Sequence, residues 1–329
     1  MSDRQVVVLL STFNAGPFLA PLIESVLSQE NVSVRLVIRD DGSTDQTPAE
    51  LRRWAERADV SVEYGPNLGP CQSYFRLLSV PANPDELVAL CDQDDVWLPG
   101  KLAAAHDALQ RFGQTPALYC GRLAIVDESL RQIGLSSVPR RELAVPNALV
   151  ENAVMGPTVV MNEVGRALLA QHCPRFAVMH DAWAYLVFSA LGHIVYDGEP
   201  RVLYRLHQRN QVGLSKSPMA RTWRLVRRRA HEYLPQQLRQ AREFEEVYGA
   251  LLLSKDSAAV QRFCQEPAHI YDRLQLAFGS YVYRQRNIDN LLLRLALLLR
   301  LGTRSSAAAC PAVRTGVGPL GTEKGGAIP

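Results

Sequence analysis

The sequence predicts an α/β fold, in which a mostly parallel, Rossmann-like sheet is flanked by helices and followed by a helical extension. Three observations support this class. In the first hundred residues, short apolar runs alternate with segments whose apolar residues recur at helical spacing. The helical spacers are about a dozen residues long, a length that suits crossovers between parallel strands. Beyond about residue 215, helical patterns replace the strand patterns.

The first strands are predicted where β-branched residues and leucines follow one another, as in the buried strands of a parallel sheet. They cover residues 5–10, 34–38, 61–64 and 87–90. Pro17 is placed to open the first helix, and Ser43 or Thr44 can cap the second. The third helix is expected to end near Leu78.

The pattern continues into the second half of the chain. Residues 101–112 predict a helix, and residues 117–126 predict a strand pair or an extended segment. A loop at residues 152–156 is expected to lead into a strand, and residues 182–191 again have helical character.

Composition and charge exclude several classes of protein. Hydrophobic residues make up 47% of the chain and charged residues 21%, which is ordinary for a globular protein. A formal net charge of +3 says little about partners, and no nucleic acid is expected among them. The six cysteines lack C-x-x-C spacing, so we expect reduced thiols. The early apolar run is too short for a signal peptide and no segment suits a membrane span, which favours a cytoplasmic location.

A turn with three carboxylates, Asp92, Asp94 and Asp95, follows the fourth predicted strand. Carboxylates at the end of a buried strand repel one another and are costly to desolvate unless a positive charge neutralises them. A divalent cation carrying a diphosphate would do so, because Mg²⁺ typically uses one or two carboxylates, waters and phosphate oxygens. A solvated acidic turn before a helix is the alternative, and this segment alone does not decide between them.

Polar turns also follow the first two strands, at residues 12–14 and 40–43. Ligands of open parallel sheets bind outside the carboxyl ends of the strands, so the three turns are expected to form one site. There is no G-x-G-x-x-G after the first strand and no G-x-x-x-x-G-K-[ST] motif. Phosphate is therefore expected to be held by a metal on carboxylates.

Four motifs together resemble the family 2 glycosyltransferases of the GT-A fold, in order and in spacing. They are residues 11–14, 39–45, 67–69 and 91–97. The D-Q-D-D-x-W form is most similar to the rhamnosyltransferase-type branch that builds bacterial surface polysaccharides. The resemblance implies a GT-A domain at residues 1–215, with a nucleotide-sugar half at 1–100 and an acceptor half at 101–215. A helical extension is predicted at 216–302, and the composition of residues 303–329 predicts a disordered tail.

The resemblance also implies roles for individual residues. Phe13 would stack on the nucleotide base, and Asp41 would accept a hydrogen bond from the base imide. Asp94 would coordinate Mg²⁺ or Mn²⁺ at the diphosphate, and Asp92 would face the ribose or the donor sugar. Asp95 would either support Asp94 or cap the next helix, and the first role is favoured. The same pocket would include Thr12, Asn14 and Asn67.

On the acceptor side, the family's general base falls on Asp181. A sugar hydroxyl is a poor nucleophile until a carboxylate takes its proton. The alternative for Asp181 is a helix cap. His180 could orient the base or be a packed polar residue. Trp183 could stack on an acceptor sugar, although an aromatic residue at this position is more often part of the core, and Gly156 lies in a segment that resembles the acceptor side.

The predicted GT-A domain closes with further candidates. His207 is a candidate metal ligand or diphosphate contact, with Arg205 or Arg209 holding phosphate charge. The arginine-rich residues 221–229 and the apolar residues 287–301 predict helices that are solvated, packed in the core or in contact with a membrane surface.

One base, one metal and no covalent intermediate imply inversion at the anomeric carbon. The leading hypothesis is therefore an inverting, metal-dependent glycosyltransferase that uses dTDP-L-rhamnose. Its acceptor would be a hydroxyl of a growing, lipid-linked surface polysaccharide at the inner face of the cell membrane. The sequence lacks the Q-x-x-R-W arrangement of processive synthases, which favours transfer of one sugar at a time. The alternatives are the same fold with a UDP-hexose donor, and a catalytically silent module that binds a nucleotide sugar or a glycan.

Overall fold

The computed structural model describes residues 4–207, 233–265 and 269–298. Its strands are β1 (Gln5–Thr12), β2 (Ser33–Asp40), β3 (Val60–Tyr64), β4 (Leu87–Cys91), β5 (Val96–Trp97), β6 (Ala117–Val126), β7 (Gln132–Leu135), β8 (Val160–Asn162) and β9 (His193–Arg205). Its helices are α1 (Leu19–Leu27), α2 (Thr47–Trp54), α3 (Pro70–Leu78), α4 (Lys101–Leu109), α5 (Val145–Ala148), α6 (Glu163–Ala170), α7 (His180–Leu191), α8 (Leu234–Tyr248), α9 (Ser254–Cys264), α10 (Ile270–Phe278) and α11 (Asn287–Leu298).

The described strands form one sheet in the order β3-β2-β1-β4-β8-β6-β9-β5, with β7 paired to β6. As predicted, β1 is parallel to both β2 and β4, and β2 is parallel to β3. Leu10 lies opposite Ile38 on one side and Cys91 on the other. The three polar turns therefore leave the sheet along the same edge.

The second half of the sheet brings the end of β9 to the acidic turn. β8 is antiparallel to β4 and β6, whereas β6 and β9 are parallel. The two-residue strand β5, which follows the acidic turn directly, pairs with β9 so that Val96 lies opposite Leu203. Residues 205–207 consequently reach the acidic turn, although they are more than a hundred residues away in sequence.

Side chains of β1 alternate between two hydrophobic clusters, as the two faces of a buried strand require. Val6, Val8 and Leu10 belong to the cluster that includes α1 and α4. Val7 and Leu9 belong to the other cluster, which includes α3, α7 and buried residues of α8 to α11. The described part of the helical extension thus packs into the same core as the sheet.

The predicted α/β class, with helices on both faces of the sheet and a C-terminal helical region, is confirmed. Residues 117–126 form one ten-residue strand, so the extended segment is confirmed over the strand pair. The predicted serine or threonine cap of the second helix is wrong. The second helix begins at Thr47 with Gln46 as its N-cap residue, so neither Ser43 nor Thr44 caps it. Ser43 instead donates from its side chain and its N–H group to Asp40.

Other predictions concern cysteines, membrane spans and the end of the chain. The described cysteines, 71, 91, 120, 173 and 264, are free thiols. No helix in the described ranges has the length and apolar character needed to cross a bilayer. The predicted arginine-rich helix at 221–229 and the predicted disordered tail lie outside the described residues.

Candidate active site

The loop after β1 is fastened to the turn after β2 by side-chain hydrogen bonds. The Asn14 N–H donates to Ser43 Oγ (2.8 Å), and Asn14 Oδ1 accepts from the Thr44 N–H (2.8 Å). Asn14 has φ +50°, a conformation that asparagine tolerates better than most residues. Thr12, which is buried, donates from Oγ1 to Asp40 Oδ1 (3.1 Å). Thr12 and Asn14 therefore fix the shape of the loop, and their contact with a nucleotide stays a prediction.

Asp41 joins the end of β2 to the turn before α3. Its carboxylate is 2% exposed and pairs with the buried Arg39 guanidinium. Asp41 Oδ1 also accepts from the Leu68 N–H (2.9 Å), and Oδ2 accepts from the Gly69 N–H (2.8 Å). A carboxylate has about four acceptor sites, so Oδ2 retains capacity for a further donor such as a base imide. Asn67 is exposed beside it, and its Oδ1 accepts from the Gly69 N–H (3.1 Å).

Phe13 presents its ring to solvent while its backbone is held by Gln93 of the acidic turn. The Phe13 N–H donates to Gln93 Oε1 (2.7 Å), and Gln93 Nε2 donates to the Phe13 carbonyl (3.1 Å). The ring is 44% exposed. Sequence reasoning missed Gln93, which couples the loop of the predicted base-stacking residue to the predicted metal turn.

Asp92 is bound by Tyr74 of α3. The Tyr74 hydroxyl donates to Asp92 Oδ1 (2.9 Å) and also contacts the Cys91 carbonyl. Burial raises the pKa of Asp92 to about 6, and the nearby Asp94 adds to the rise, although His180 and the Tyr74 bond oppose it. Tyr74 is a second residue of the site that the sequence motifs did not reveal.

Asp95 is completely buried and lies behind Asp94. Its Oδ1 accepts from the Arg205 N–H (3.2 Å), and Oδ2 has no hydrogen-bond partner among the described residues. Burial, reinforced by the charge of Asp94, holds its pKa well above the ordinary value. The next helix, α4, has Gly100 as its N-cap residue. The position of Asp95 thus favours support of the acidic turn over helix capping.

Asp94 meets His207 at the end of β9. Asp94 Oδ2 lies 2.8 Å from His207 Nε2, and the His207 ring lies 5.0 Å from the ring of Phe18. The buried Arg205 donates to the carbonyls of Asp94 (3.0 Å) and Glu128 (2.6 Å), and its guanidinium lies over Phe18. These contacts favour a supporting role for Arg205 over direct contact with phosphate. Arg209, the alternative phosphate contact, lies outside the described residues.

The donor chemistry of this pair suits a divalent cation. A carboxylate oxygen and an imidazole nitrogen are both ligands that Mn²⁺ accepts, and Mg²⁺ needs only one or two carboxylates beside phosphate and water. In residues 4–207, 233–265 and 269–298, no group of three or more His, Cys, Asp or Glu side chains is placed to hold a metal. Asp94 and His207 would therefore hold the ion only together with a diphosphate and water.

Asp181 lies in the first turn of α7 with both carboxylate oxygens engaged by backbone N–H groups. Oδ2 accepts from Gly156 (3.0 Å), and Oδ1 accepts from Ala182 (2.8 Å). Burial raises the pKa of Asp181 to about 6, although these hydrogen bonds and one from Asn152 oppose the rise. The N-cap residue of α7 is Met179, so Asp181 is not the helix cap. A carboxylate with such a pKa is suited to general-base chemistry near neutral pH.

His180 connects Asp181 to the donor side of the site. Its buried ring stacks on Tyr74 with 3.9 Å between centroids, and Tyr74 in turn binds Asp92. Within the described ranges neither ring nitrogen of His180 has a hydrogen-bond partner, and burial lowers its pKa to about 4. A Cβ added at Gly156 would lie 3.1 Å from His180 Nε2. Asp92 and Asp181 are close enough for the charge of Asp181 to raise the pKa of Asp92.

Trp183 is fully buried on the other side of α7. Its ring lies 6.1 Å from Phe244 and 6.3 Å from Tyr248 of α8, and 5.7 Å from His172. No ring face is left for a sugar, so the predicted stacking on an acceptor is wrong and the core alternative holds. The apolar partners belong to a helix that the motifs did not locate.

Comparison with known proteins gives one family and several distant relatives. The family model described as Glycosyl transferase family 2 matches residues 7–164. An uncharacterized glycosyltransferase of Nostoc sp., alr2836, is 27% identical over 63% of this chain and 66% of its own length, slightly under two thirds. The dTDP-rhamnosyl transferase RfbG of Shigella flexneri is 24% identical over 66% and 78%. The succinoglycan biosynthesis protein ExoO of Rhizobium meliloti is 26% identical over 46% and 43%.

Solved structures with a similar fold include S. aureus TarS 1-349 in complex with UDP-GlcNAc. It has a TM-score of 0.53 and 14% sequence identity, and the match covers 89% of this chain and 90% of that one. The same fragment in complex with UDP gives a TM-score of 0.50 over 88% and 90%. At this identity the likeness describes the fold. The family match ends before Asp181, so the predicted base and residues 205–207 lie outside it.

Proposed function

We propose that the protein is an inverting, metal-dependent glycosyltransferase, a proposal supported by the match of residues 7–164 to the model described as Glycosyl transferase family 2. It would move one sugar at a time from a nucleotide-activated donor to a hydroxyl of a glycan acceptor. The proposed catalytic domain extends to residue 215, with its donor half at 1–100 and its acceptor half at 101–215. The helical extension would cover residues 216–302.

One observation carries the proposal: a base-like carboxylate and the acidic turn lie on either side of one aromatic stack. Asp181 follows His180, whose ring stacks on Tyr74, and Tyr74 binds Asp92 of the acidic turn. Asp181 has a pKa of about 6, which keeps it ionised at neutral pH yet basic enough to take a proton. A silent binding module has no need of such a carboxylate.

The donor would bind along the edge where β1, β2 and β4 end. The exposed ring of Phe13 would stack on the base, and Asp41 would accept from the base imide through its remaining capacity. Asn67 would line the same pocket, whose loop is held by Thr12 and Asn14. Asp92 would contact the ribose or the donor sugar.

The remaining residues would divide the chemistry between them. Asp94 and His207 would hold Mg²⁺ or Mn²⁺, with Asp95 and Arg205 supporting the turn behind them. A bound divalent cation would neutralise charge on the diphosphate. Asp181 would accept the proton of the acceptor hydroxyl at Oδ1 or Oδ2, while the Gly156 and Ala182 N–H groups keep the carboxylate oriented. With no nucleophilic side chain in this scheme, the configuration of the transferred sugar inverts.

For the donor we propose dTDP-L-rhamnose. The D-Q-D-D-x-W motif and the dTDP-rhamnosyl transferase among the relatives support this choice. A UDP-hexose is the second candidate, because the fold matches a protein solved with UDP-GlcNAc. A nucleotide-sugar or glycan-binding module without turnover is the third.

For the acceptor we propose a lipid-linked surface polysaccharide, reached at the inner face of the cell membrane. The similarity to a succinoglycan biosynthesis protein supports a polysaccharide product. Peripheral membrane contact is supported by apolar side chains that α10 and α11 expose, among them Tyr271 and Leu291.

The test is donor-dependent release of nucleoside diphosphate from a panel of dTDP-, UDP- and GDP-sugars, with Mg²⁺, with Mn²⁺ and with EDTA. We expect one donor to be used, and only with metal. Asp94→Asn should abolish release and weaken metal-dependent donor binding, whereas Asp85→Asn, at an exposed acid before β4, should change neither. Metal-independent donor binding without turnover, even with lipid-linked acceptors, would favour the binding module.

A further inference from the structure

We propose that α8 positions the general base, because Glu243 and Gln240 hold the segment at residues 172–178 that leads into Asp181. The inference rests on the proposed function, which makes Asp181 the base, and it assigns a task to the helical extension. Neither residue of α8 would touch a substrate. Both would act through the position of Asp181.

Glu243 is the centre of the contact. Its side chain is 2% exposed and faces the segment, not solvent. Oε1 accepts from the Arg175 N–H (2.9 Å) and lies 3.0 Å from His172 Nε2, and Oε2 accepts from the Phe176 N–H (2.8 Å). Burial alone would raise the pKa of Glu243, but these hydrogen bonds outweigh it and lower the pKa. The side chain is therefore an ionised acceptor that fixes two backbone groups at once.

The segment at residues 172–178 makes further hydrogen bonds to α8 and to α3. Gln240 Oε1, one turn before Glu243, accepts from the Val178 N–H (2.8 Å). On the opposite side, Gln72 of α3 donates from Nε2 to the Pro174 carbonyl (2.9 Å), and Cys173 Sγ donates to Gln72 Oε1 (2.8 Å). The segment is thus held between α8 and the helix that carries Tyr74.

The backbone N–H groups of this segment bind acceptors on other elements, because the segment has no regular secondary structure that would pair them. Described residues 172–178 form neither helix nor strand. Backbone N–H groups that lose contact with water without gaining a partner are costly, and side-chain acceptors on α8 bind three partly buried N–H groups in place of a strand neighbour. The chain then passes through Met179 directly into His180 and Asp181.

The same helix also supports the far side of α7. Phe244 and Tyr248 pack against Trp183, which is two residues beyond Asp181. Asp181 is therefore fixed by α8 from two directions, through the segment before it and through the helix that carries it. A displacement of a catalytic group by about 1 Å is enough to lower a rate about 100-fold.

The experiment compares two pairs of variants in the full-length chain. Glu243→Gln is matched by Glu246→Gln on the same helix, where the side chain is 73% exposed and only its carboxylate approaches the Arg175 guanidinium. Gln240→Ala is matched by Gln236→Ala, at an exposed position of α8. Gln240→Glu serves as a rescue variant, because it keeps an acceptor oxygen for the Val178 N–H.

Hydrogen exchange at residues 172–181 is measured first. We expect Glu243→Gln and Gln240→Ala to speed exchange at Arg175, Phe176 and Val178, and we expect the controls to leave it unchanged. Transfer kinetics are then measured on the folded fraction. We expect kcat to fall about 10- to 100-fold in both test variants, with the Kd for the nucleotide sugar within about twofold of the parent. Gln240→Glu should restore kcat to within about threefold.

The outcomes separate positioning from general stability and from the proposed function. A lower melting temperature with unchanged kcat per folded molecule would overturn the positioning role, and so would unchanged exchange in the segment. Where Glu243→Gln does not fold, the milder Gln240→Ala decides. If the parent protein transfers no sugar from any donor, the proposed function fails. The exchange data then decide on their own whether α8 holds the segment.

Discussion

Gly156 is packed so closely against the proposed base that adding a single methyl group there is expected to affect transfer. A Cβ there would lie 3.1 Å from His180 Nε2 and 3.5 Å from Asp181 Oδ2, so His180 must give way by a few tenths of an ångström. We expect Gly156→Ala to lower kcat about tenfold, because the methyl group would displace His180 and with it the adjacent Asp181. The measurement is kcat for transfer, with the unfolding free energy alongside.

Gly198 supplies the control for this substitution, since no described atom lies within 4 Å of a Cβ added there. Gly198→Ala should retain parental activity. A Gly156→Ala variant with full activity would show that the contact between Gly156, His180 and Asp181 has no role in transfer.

The pKa of Asp181 predicts how activity depends on pH. A base acts in its deprotonated form, and burial raises this pKa from 3.8 to about 6. We therefore expect kcat/KM to fall about tenfold for each unit of pH below about 6. Activity should be nearly constant from pH 7 to 8. The measurement is the pH profile of transfer between pH 4.5 and 8.5.

Burial also raises the pKa of Asp92 to about 6, so the fall in activity at low pH has to be assigned to one of the two carboxylates. Protonation of Asp92 would change the Kd for the donor, whereas protonation of Asp181 would leave donor binding intact and stop transfer. If the Kd for the donor stays constant over the pH range in which kcat/KM falls, the fall in activity is assigned to Asp181. A limb near pH 4 would contradict the buried environment that raises the pKa of Asp181.

At the scale of the elements, α7 depends on its packing against α8. Trp183 is fully buried and packs against Phe244 and Tyr248. We expect Trp183→Ala to lower the free energy of unfolding by about 3–5 kcal/mol, because a buried aromatic leaves a cavity. Urea titration measures this loss. Tyr271→Ala, at a residue 65% exposed, should change stability by less than about 0.5 kcal/mol.

Trp183→Ala also separates the two interpretations of this residue. If the ring contacted an acceptor sugar, the variant would keep its stability and raise the KM for the acceptor. A large loss of stability with an unchanged acceptor KM in the folded fraction agrees with a core residue.

The elements also show why part of the site could be predicted and part could not. The motifs after β1, β2 and β4 could be placed together because parallel strands end at one edge, and that rule depends only on local sequence patterns. Tyr74, Gln93 and Glu243 were not foreseen. Each acts through a hydrogen bond to a residue that is 18 to 80 positions away, and no local periodicity encodes such a pairing.

On the scale of the whole molecule, the extension combines an inner and an outer face. Its inner face shares the core with α3 and α7. Its outer face exposes apolar side chains on two consecutive helices, at Ile270, Tyr271, Leu274 and Phe278 of α10 and at Ile288, Leu291 and Leu295 of α11. Arg273, Arg286 and Arg294 belong to the same helices or flank them. Apolar side chains beside arginines are typical of surfaces that bind anionic membranes.

We therefore expect the full-length protein to co-sediment with vesicles that contain phosphatidylglycerol, and to bind phosphatidylcholine vesicles more weakly. Since the arginines contribute through charge, binding should weaken as salt rises from about 0.05 to 0.5 M. The double variant Tyr271→Ser and Leu291→Ser should lower the partition coefficient about tenfold or more, because each apolar side chain removed from the interface contributes about 1–2 kcal/mol. The matched control is Ile133→Ser, at an exposed apolar residue of β7 outside the helical extension. This variant should bind vesicles as the parent does. If the double variant and the parent bind equally, the outer face of α10 and α11 is not the contact. If neither binds any vesicle, a lipid-linked acceptor must reach Asp181 without help from this surface.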